Sequence, residues 1–215
     1  MNSLTNFINL NSIVKSLSIK TKIIVVTKTF DINTIQPILD HGHKDFGENR
    51  VVEAKNKWKN FSNDKNINLH LIGSLQSNKA KDALAVFNYI HSLDSLKLAS
   101  QLHKYENILK KNAKYFIQIN FSGELQKGGI NVDYLPEFLK VCKNEFKLNV
   151  IGLMCIPPQN VNPINFFKQM SELVTKHNLS DLSMGMSEDY KIAIDCGATY
   201  IRIGTLIFGN RRIES

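Results

Sequence analysis

One alternation runs the length of this sequence: a short β-rich run, then a segment of helix length, repeated to the end. The runs are KIIVVTK (22–28), KDFGEN (44–49), NLHLIG (68–73), YIHSLD (89–94), KYFIQIN (114–120), NVIGLM (149–154), LSMG (182–185) and TYIRIG (199–204). Intervening segments such as VVEAKNKWKNF, LKLASQLHKYENILKK and INFFKQMSELVTKH carry apolar residues three or four positions apart, the spacing that gives a helix one buried face. Strands joined through helices pair in parallel. Eight such units of roughly 25 residues favour an α/β fold closed as a single (β/α)8 TIM barrel. Residues 3–17, ahead of the first strand, read as an extra N-terminal helix across the barrel's outside or floor. An open doubly wound sheet is the competing arrangement, but no GxGxxG follows the first strand and the phosphate-type turns come at the last two. No linker, internal repeat or low-complexity segment divides the chain, so 1–215 reads as one domain.

Composition narrows the function classes. No stretch reaches the roughly 18 apolar residues of a membrane span. The start, MNSLTNFINLNSIVKSLSIK, lacks the apolar block and cleavage site of a signal peptide, so a cytoplasmic location and no membrane partner are expected. Cys142, Cys155 and Cys196 are odd in number and form no CxxC pair, which argues against a disulfide framework or a cysteine zinc site. The net charge of +8 raises nucleic acid as a partner. Against it, the charge is almost all lysine, scattered among asparagines as in KNKWKNFSNDKNIN, and no zinc-finger, helix-turn-helix or RNP-like pattern occurs. The basic balance reads as a solvated surface.

In a barrel, function gathers where the strands end in βα loops. Lys28 ends the first run, and strand alternation puts it on the side of Ile24 and Val26, the packed interior. A lysine there either snorkels from the rim to water or, with its pKa lowered by burial and neighbouring cations, presents a neutral amine that attacks a carbonyl. The stretch LSMGMSEDYKIAIDCGATYIRIGTLIFG (182–209) holds two strand ends that each run into a small-residue turn. Ser187 closes the first, and Gly204 with Thr205 closes the second. Hydroxyls and unblocked N–H groups at such turns suit a phosphate dianion. Arg202 stands between them inside an apolar strand, where a cation needs a partner. Gly47 and Gly73, at the ends of the second and third runs, permit close backbone approach to a flat ligand, and Asn49 offers both donor and acceptor. A carbonyl-reactive lysine, a phosphate cup and an inward arginine together describe a pyridoxal 5′-phosphate pocket.

The chain resembles the pyridoxal phosphate homeostasis protein family, small barrel proteins related to the N-terminal domain of alanine racemase. The matching blocks are VVTKTF around Lys28, FGENRVVEA, LHLIGSLQSNKAK, IHSLDSLKLA, IQINFSGELQKGGI, IGLMCIPP, LSMGMSEDY and IRIGTLIFG, in order and over essentially the whole length. The resemblance implies that Lys28 carries the cofactor as a Schiff base, that Ser187, Gly204 and Thr205 hold its phosphate, and that Arg202 faces the pyridine nitrogen. Asn49 is implied as a further contact. Leu69 departs from the aromatic residue the family often has before the histidine.

An arginine only donates, so it leaves the pyridine nitrogen unprotonated and the ring a poor electron sink. Racemisation would need a second acid/base group on the opposite face of the substrate, and after the eighth strand only LIFGNRRIES follows. The expectation is therefore a protein that binds and releases the cofactor within vitamin B6 and amino-acid homeostasis, serving apo-enzymes as recipients, as a monomer and without turnover. A small pyridoxal-phosphate-dependent amino-acid racemase is the alternative. His41-Gly42-His43 reads as a helix end with a glycine turn rather than a metal site. Asp45 and Glu48 read either as a carboxylate pair or, flanking a strand end, as carboxylates meeting local lysines. Lys127 in QKGG, Arg211 and Arg212 are candidate transient cofactor contacts beside a plainer reading as solvated residues.

Overall fold

The computed structural model describes residues 2–61, 64, 66–121, 128–158 and 160–209. Lys127, Arg211 and Arg212 lie outside the described residues. Each predicted run contains a strand: β1 (Lys22–Val26), β2 (Asp45–Glu48), β3 (Asn68–Leu71), β4 (Tyr89–Leu93), β5 (Lys114–Ile119), β6 (Val150–Cys155), β7 (Asp181–Ser183) and β8 (Tyr200–Ile203). They close into a barrel in sequence order, every pair parallel. Closure comes where the first strand meets the last, with Ile24 opposite Arg202 and Val25 opposite Ile203. That pairing excludes the open sheet.

Among the described residues the helices are α1 (Ser3–Leu17), α2 (Ile32–Asp40), α3 (Val51–Lys57), α4 (Ala80–Val86), α5 (Leu96–Leu109), α6 (Leu135–Lys140), α7 (Ile164–Lys176), α8 (Tyr190–Asp195) and α9 (Thr205–Phe208). Several begin at side chains suited to the task. Asn2 accepts from Leu4 N–H at the start of α1, Asp31 from Thr34 N–H at α2, and Ser95 from Leu98 N–H at α5. The N-terminal helix lies on the outside of the barrel, not its floor. Its Phe7, Leu10 and Val14 are buried, Asn6 Nδ2 donates to the Ile207 carbonyl at 3.0 Å, and Phe7 packs on His43 with ring centroids 4.7 Å apart. It thereby straps α9 to the region of β2. No described helix is long and apolar enough to cross a membrane.

Strand alternation divides the core in two. Residues such as Val25, Phe46, Leu71, Ile117, Leu153 and Ile201 belong to the large apolar layer between strands and helices. Burying each large side chain contributes ~1.5–3 kcal/mol. Ile24, Tyr89, Phe116, Met154 and Tyr200 form a separate cluster. Also on the barrel strands, His70, His91, Ser183 and Arg202 are buried. So much buried polarity demands partners.

Candidate functional site

Barrel closure brings the sequence-predicted residues together. Ser187 follows β7, Arg202 lies in β8, Gly204 and Thr205 follow β8, Lys28 follows β1 and Asn49 follows β2, so all lie on four successive strands at their C-terminal ends. Lys28 and Arg202 come from opposite ends of the chain, yet β1 and β8 are hydrogen-bonded neighbours.

Local structure fixes each position. Past β7, Gly185 adopts φ +91°, and a Cβ there would lie 2.5 Å from that of Ala193, so the turn needs glycine. The Gly185 carbonyl accepts Arg202 N–H at 2.9 Å, which ties this turn to β8. Met186 N–H donates to Asp189 Oδ1 at 2.6 Å and Tyr190 N–H to the Met186 carbonyl at 2.9 Å, which holds Ser187 half-buried within the turn. After β8 the Gly204 carbonyl accepts from Ile207 and Phe208, both at 2.9 Å. The N–H groups of Thr205 and Leu206, in the first turn, have no intrahelical acceptor. A Cβ on Gly204 would make ordinary contacts of 3.4 Å with Val26, so packing against the protein does not demand a glycine here.

The other two glycines serve protein packing. A Cβ at Gly47 would come within 2.7 Å of Ile24 Cγ2, and one at Gly73 within 2.4 Å of the Asn49 carbonyl oxygen. The expected backbone approach to a flat ligand is therefore corrected at both sites: the freed space is filled by a barrel isoleucine at one and by the Asn49 backbone at the other. Gly73 lets the β3 loop seat Asn49, whose Oδ1 is buried without a hydrogen-bond partner.

Arg202 is 4% exposed. Its Nη1 donates to the carbonyl and the hydroxyl of Ser183, both at 2.8 Å, and Nη2 donates to the Cys155 carbonyl at 3.0 Å. Among the described residues these bonds use three of the guanidinium's five N–H donors, and no carboxylate forms an ion pair with it. Burial pulls its pKa below the usual value, while Cys155 and Asp189 act the other way. The Cys155 thiol is pushed up to about 12 by its own burial.

The sequence matches the family model of the alanine racemase N-terminal domain over residues 6–212. The pyridoxal phosphate homeostasis protein of Synechocystis sp. PCC 6803 is 38% identical over 94% of this chain and 96% of its own. The chain belongs to the pyridoxal phosphate homeostasis protein family. The Escherichia coli K12 pyridoxal phosphate homeostasis protein is 34% identical over 88% of this chain and 85% of its own. PipY of Synechococcus elongatus PCC7942, solved with PLP bound, has a TM-score of 0.86 and 32% identity, covering 96% of this chain and 100% of that one. An alanine racemase of Clostridium difficile 630 shares the fold, with a TM-score of 0.74, 17% identity and coverage of 99% of this chain and 58% of the racemase.

In this member of the pyridoxal phosphate homeostasis protein family, two groups of residues near the site escaped the sequence reading. One comes from α3. Lys57 Nζ donates to the Thr27 carbonyl at 2.7 Å, to Glu48 Oε1 at 2.9 Å and to Glu53 Oε1 at 3.2 Å, while Thr29 N–H donates to Glu53 Oε1 at 2.7 Å. Thr29 has φ +70°, a backbone state that a β-branched residue rarely takes and that holds only when neighbours enforce it. Half-buried Lys28 lies between these two clamped residues. The other group is a chain of buried side chains through the barrel interior, in which Asp45 meets His70 rather than a lysine. Glu48 does meet a lysine, Lys57, and also accepts from Trp58 Nε1 at 3.0 Å and from the Thr27 hydroxyl at 2.7 Å. His41 ends α2 and Gly42 takes φ +88°, as the glycine-turn reading expects. The described residues hold no His/Cys/Asp/Glu cluster fit for a metal. A cleft of about 570 Å³ lined by Ser171, Thr175 and Asp195 lies at α7 and α8 and includes none of the site residues.

Proposed function

We propose that this protein binds pyridoxal 5′-phosphate at the β7–β8–β1–β2 rim and holds it through a reversible Schiff base on Lys28. The observation that carries the reading is the convergence of Lys28, Arg202 and the two small-residue turns on neighbouring strand ends, in a chain 32% identical to a protein solved with PLP bound. Residues left with unused hydrogen-bonding capacity fit the cofactor. Asn49 Oδ1 is buried and unpartnered, and Arg202 retains donors after its bonds to Ser183 and Cys155.

In this reading the Lys28 amine adds to the cofactor's aldehyde carbon and water leaves; hydrolysis reverses the bond. Ser187, Gly204 and Thr205 hold the phosphate with a hydroxyl pair and first-turn N–H groups. Arg202 donates to the pyridine nitrogen and, always protonated, keeps that nitrogen from acquiring a proton. Transaminases and decarboxylases usually place a carboxylate opposite the nitrogen, to hold the pyridinium that stabilises a carbanion. The arginine therefore disfavours carbanion intermediates, and turnover would still need a second acid/base group across the substrate from Lys28. The task that follows is to keep a reactive aldehyde off other amines and to pass it to apo-enzymes, within vitamin B6 and amino-acid homeostasis.

Borohydride reduction followed by peptide mapping tests the assignment. The expected result is a single pyridoxyl adduct on Lys28, absent in Lys28→Ala, with no exchange of an amino acid's α-proton in the unreduced protein. An adduct that persists in Lys28→Ala sinks the lysine assignment. Lys28-dependent α-proton exchange would establish the racemase alternative instead.

A further inference from the structure

The barrel interior holds an unbroken line of buried polar side chains. Arg202 Nη1 donates to Ser183 Oγ at 2.8 Å, Ser183 Oγ lies 2.9 Å from His91 Nδ1, His91 Nε2 lies 3.0 Å from His70 Nδ1, and His70 Nε2 lies 3.1 Å from Asp45 Oδ1. Ser183, His91 and His70 are 0% exposed and Asp45 9%. The line begins under the proposed cofactor site and ends at the first residue of β2, at the opposite end of the strand from Asn49.

With both rings neutral, the carboxylate at one end assigns the protons along the line. Arginine cannot accept, so Ser183 Oγ must, and its own hydrogen must point elsewhere. Ser183 Oγ has a second lone pair, so the far end decides: the Asp45 carboxylate only accepts, which puts the proton of a neutral His70 on Nε2 and leaves its Nδ1 to accept. A neutral His91 then donates its Nε2–H to His70 Nδ1, and its own Nδ1 accepts from the Ser183 hydroxyl. The assignment requires both rings to be neutral. Burial favours that state, lowering the pKa of both histidines. The rings are wedged in place: His91 stacks on Phe116 and His70 on Tyr89, each with centroids 4.2 Å apart. Every donated hydrogen points away from Arg202 and every acceptor lone pair points towards it. Aligned bonds of this kind strengthen one another in a low-dielectric interior and present their negative ends to the cation.

We propose that His91 and His70 are positioning residues: as a one-way hydrogen-bond chain anchored on Asp45, they hold the Ser183 hydroxyl as an acceptor and so lock Arg202 in place for the cofactor ring. The inference deepens the proposed cofactor reading and rests on it for the role of Arg202. The tautomers do not depend on that reading.

Two experiments test it. In the cofactor-free protein, side-chain 15N NMR should show His70 and His91 as neutral Nε2–H tautomers; a proton on His91 Nδ1 overturns the chain, whatever the cofactor does. In the loaded protein, His91→Phe keeps the stack on Phe116 but removes both hydrogen bonds. It should release pyridoxal 5′-phosphate about tenfold faster, the scale of one charge-assisted bond, and shift the absorption band. His91→Gln, which can accept through its oxygen and donate through its nitrogen, should restore both readouts. If His91→Phe behaves as wild type while Arg202→Gln loses the cofactor, Arg202 acts without the chain and the proposal fails. If Arg202→Gln is silent as well, the placement of the arginine against the cofactor fails, and the positioning role with it.

Discussion

Thr27 and Thr29, the residues on either side of Lys28, are held by one turn of α3: Lys57 Nζ donates to the carbonyl of Thr27, and Glu53 Oε1 accepts from the N–H of Thr29, both at 2.7 Å. Lys57 and Glu53 are themselves paired at 3.2 Å, so the lysine proposed to react with the cofactor is carried between two ends of a single ion pair.

Loss of Lys57 should be costly. Glu48 is 0% exposed and its Oε2 already lacks a partner, so Lys57→Met would leave a buried carboxylate with only the Trp58 and Thr27 donors. The expected destabilisation is ~3–5 kcal/mol, and Glu48→Gln in the same chain should recover part of it. Urea unfolding of the single and double variants measures both.

Glu53 is partly exposed, and Glu53→Ala should cost only ~1 kcal/mol of stability. Its larger effect should fall on kinetics, because the left-handed Thr29 loses the bond that enforces its conformation. Stopped-flow absorbance after adding pyridoxal 5′-phosphate should show slower Schiff-base formation than in wild type. An unchanged rate would show that the loop holds its shape without α3.

Gly73→Ala places a methyl group 2.4 Å from the Asn49 carbonyl oxygen, a backbone atom that cannot swing aside. The variant should lose ~1–3 kcal/mol and bind the cofactor more weakly through displaced Asn49. Asn49→Ala, which keeps the backbone, should weaken binding without the stability loss. Equilibrium dialysis and thermal unfolding separate the two effects.

Stability should fall as pH drops below about 6.5. Burial lowers the pKa of His43, His70 and His91 in the folded state, so between their folded values and 6.5 the unfolded chain binds more protons and gains on acidification. Each histidine contributes a slope of up to ~1.4 kcal/mol per pH unit in that window. Asp45, whose pKa is lowered by its bonds to His70 and Asn68 against the opposing push of burial, adds a further loss as pH falls past 3.8. Urea midpoints at pH 7.5 and 5.5 should differ in this direction, and His91→Phe should flatten the slope.

The barrel was legible because its information is local: alternation, glycine turns and helix periodicity each lie within a dozen residues, and closure follows from counting units. The rim was partly legible for a related reason. In a barrel, the residue that ends a strand has a known address, so Lys28, Asn49, Ser187, Arg202, Gly204 and Thr205 could be read as neighbours. What escaped was pairing between side chains on different units. Nothing in KDFGEN says that Asp45 meets His70, or in VVEAKNKWKNF that Lys57 reaches back to Thr27. Strand alternation does place His70 and Tyr89 inward, but only the closed barrel brings His91 within 3.0 Å of His70. Gly47 and Gly73 were misjudged for the same cause, since a missing side chain does not disclose what takes its space.

The ladder between β1 and β8 has a consequence in time. Contacts of such long sequence separation form late and slowly in folding. On a chain emerging from the ribosome, Lys28 exists long before Arg202, Gly204 and Thr205 are made, and the strand ends that carry them become neighbours only when the last strand closes the ring. On the proposed reading, capture of the cofactor would therefore report that the barrel is complete: a nascent or half-folded chain carries Lys28 without the rest of the proposed site.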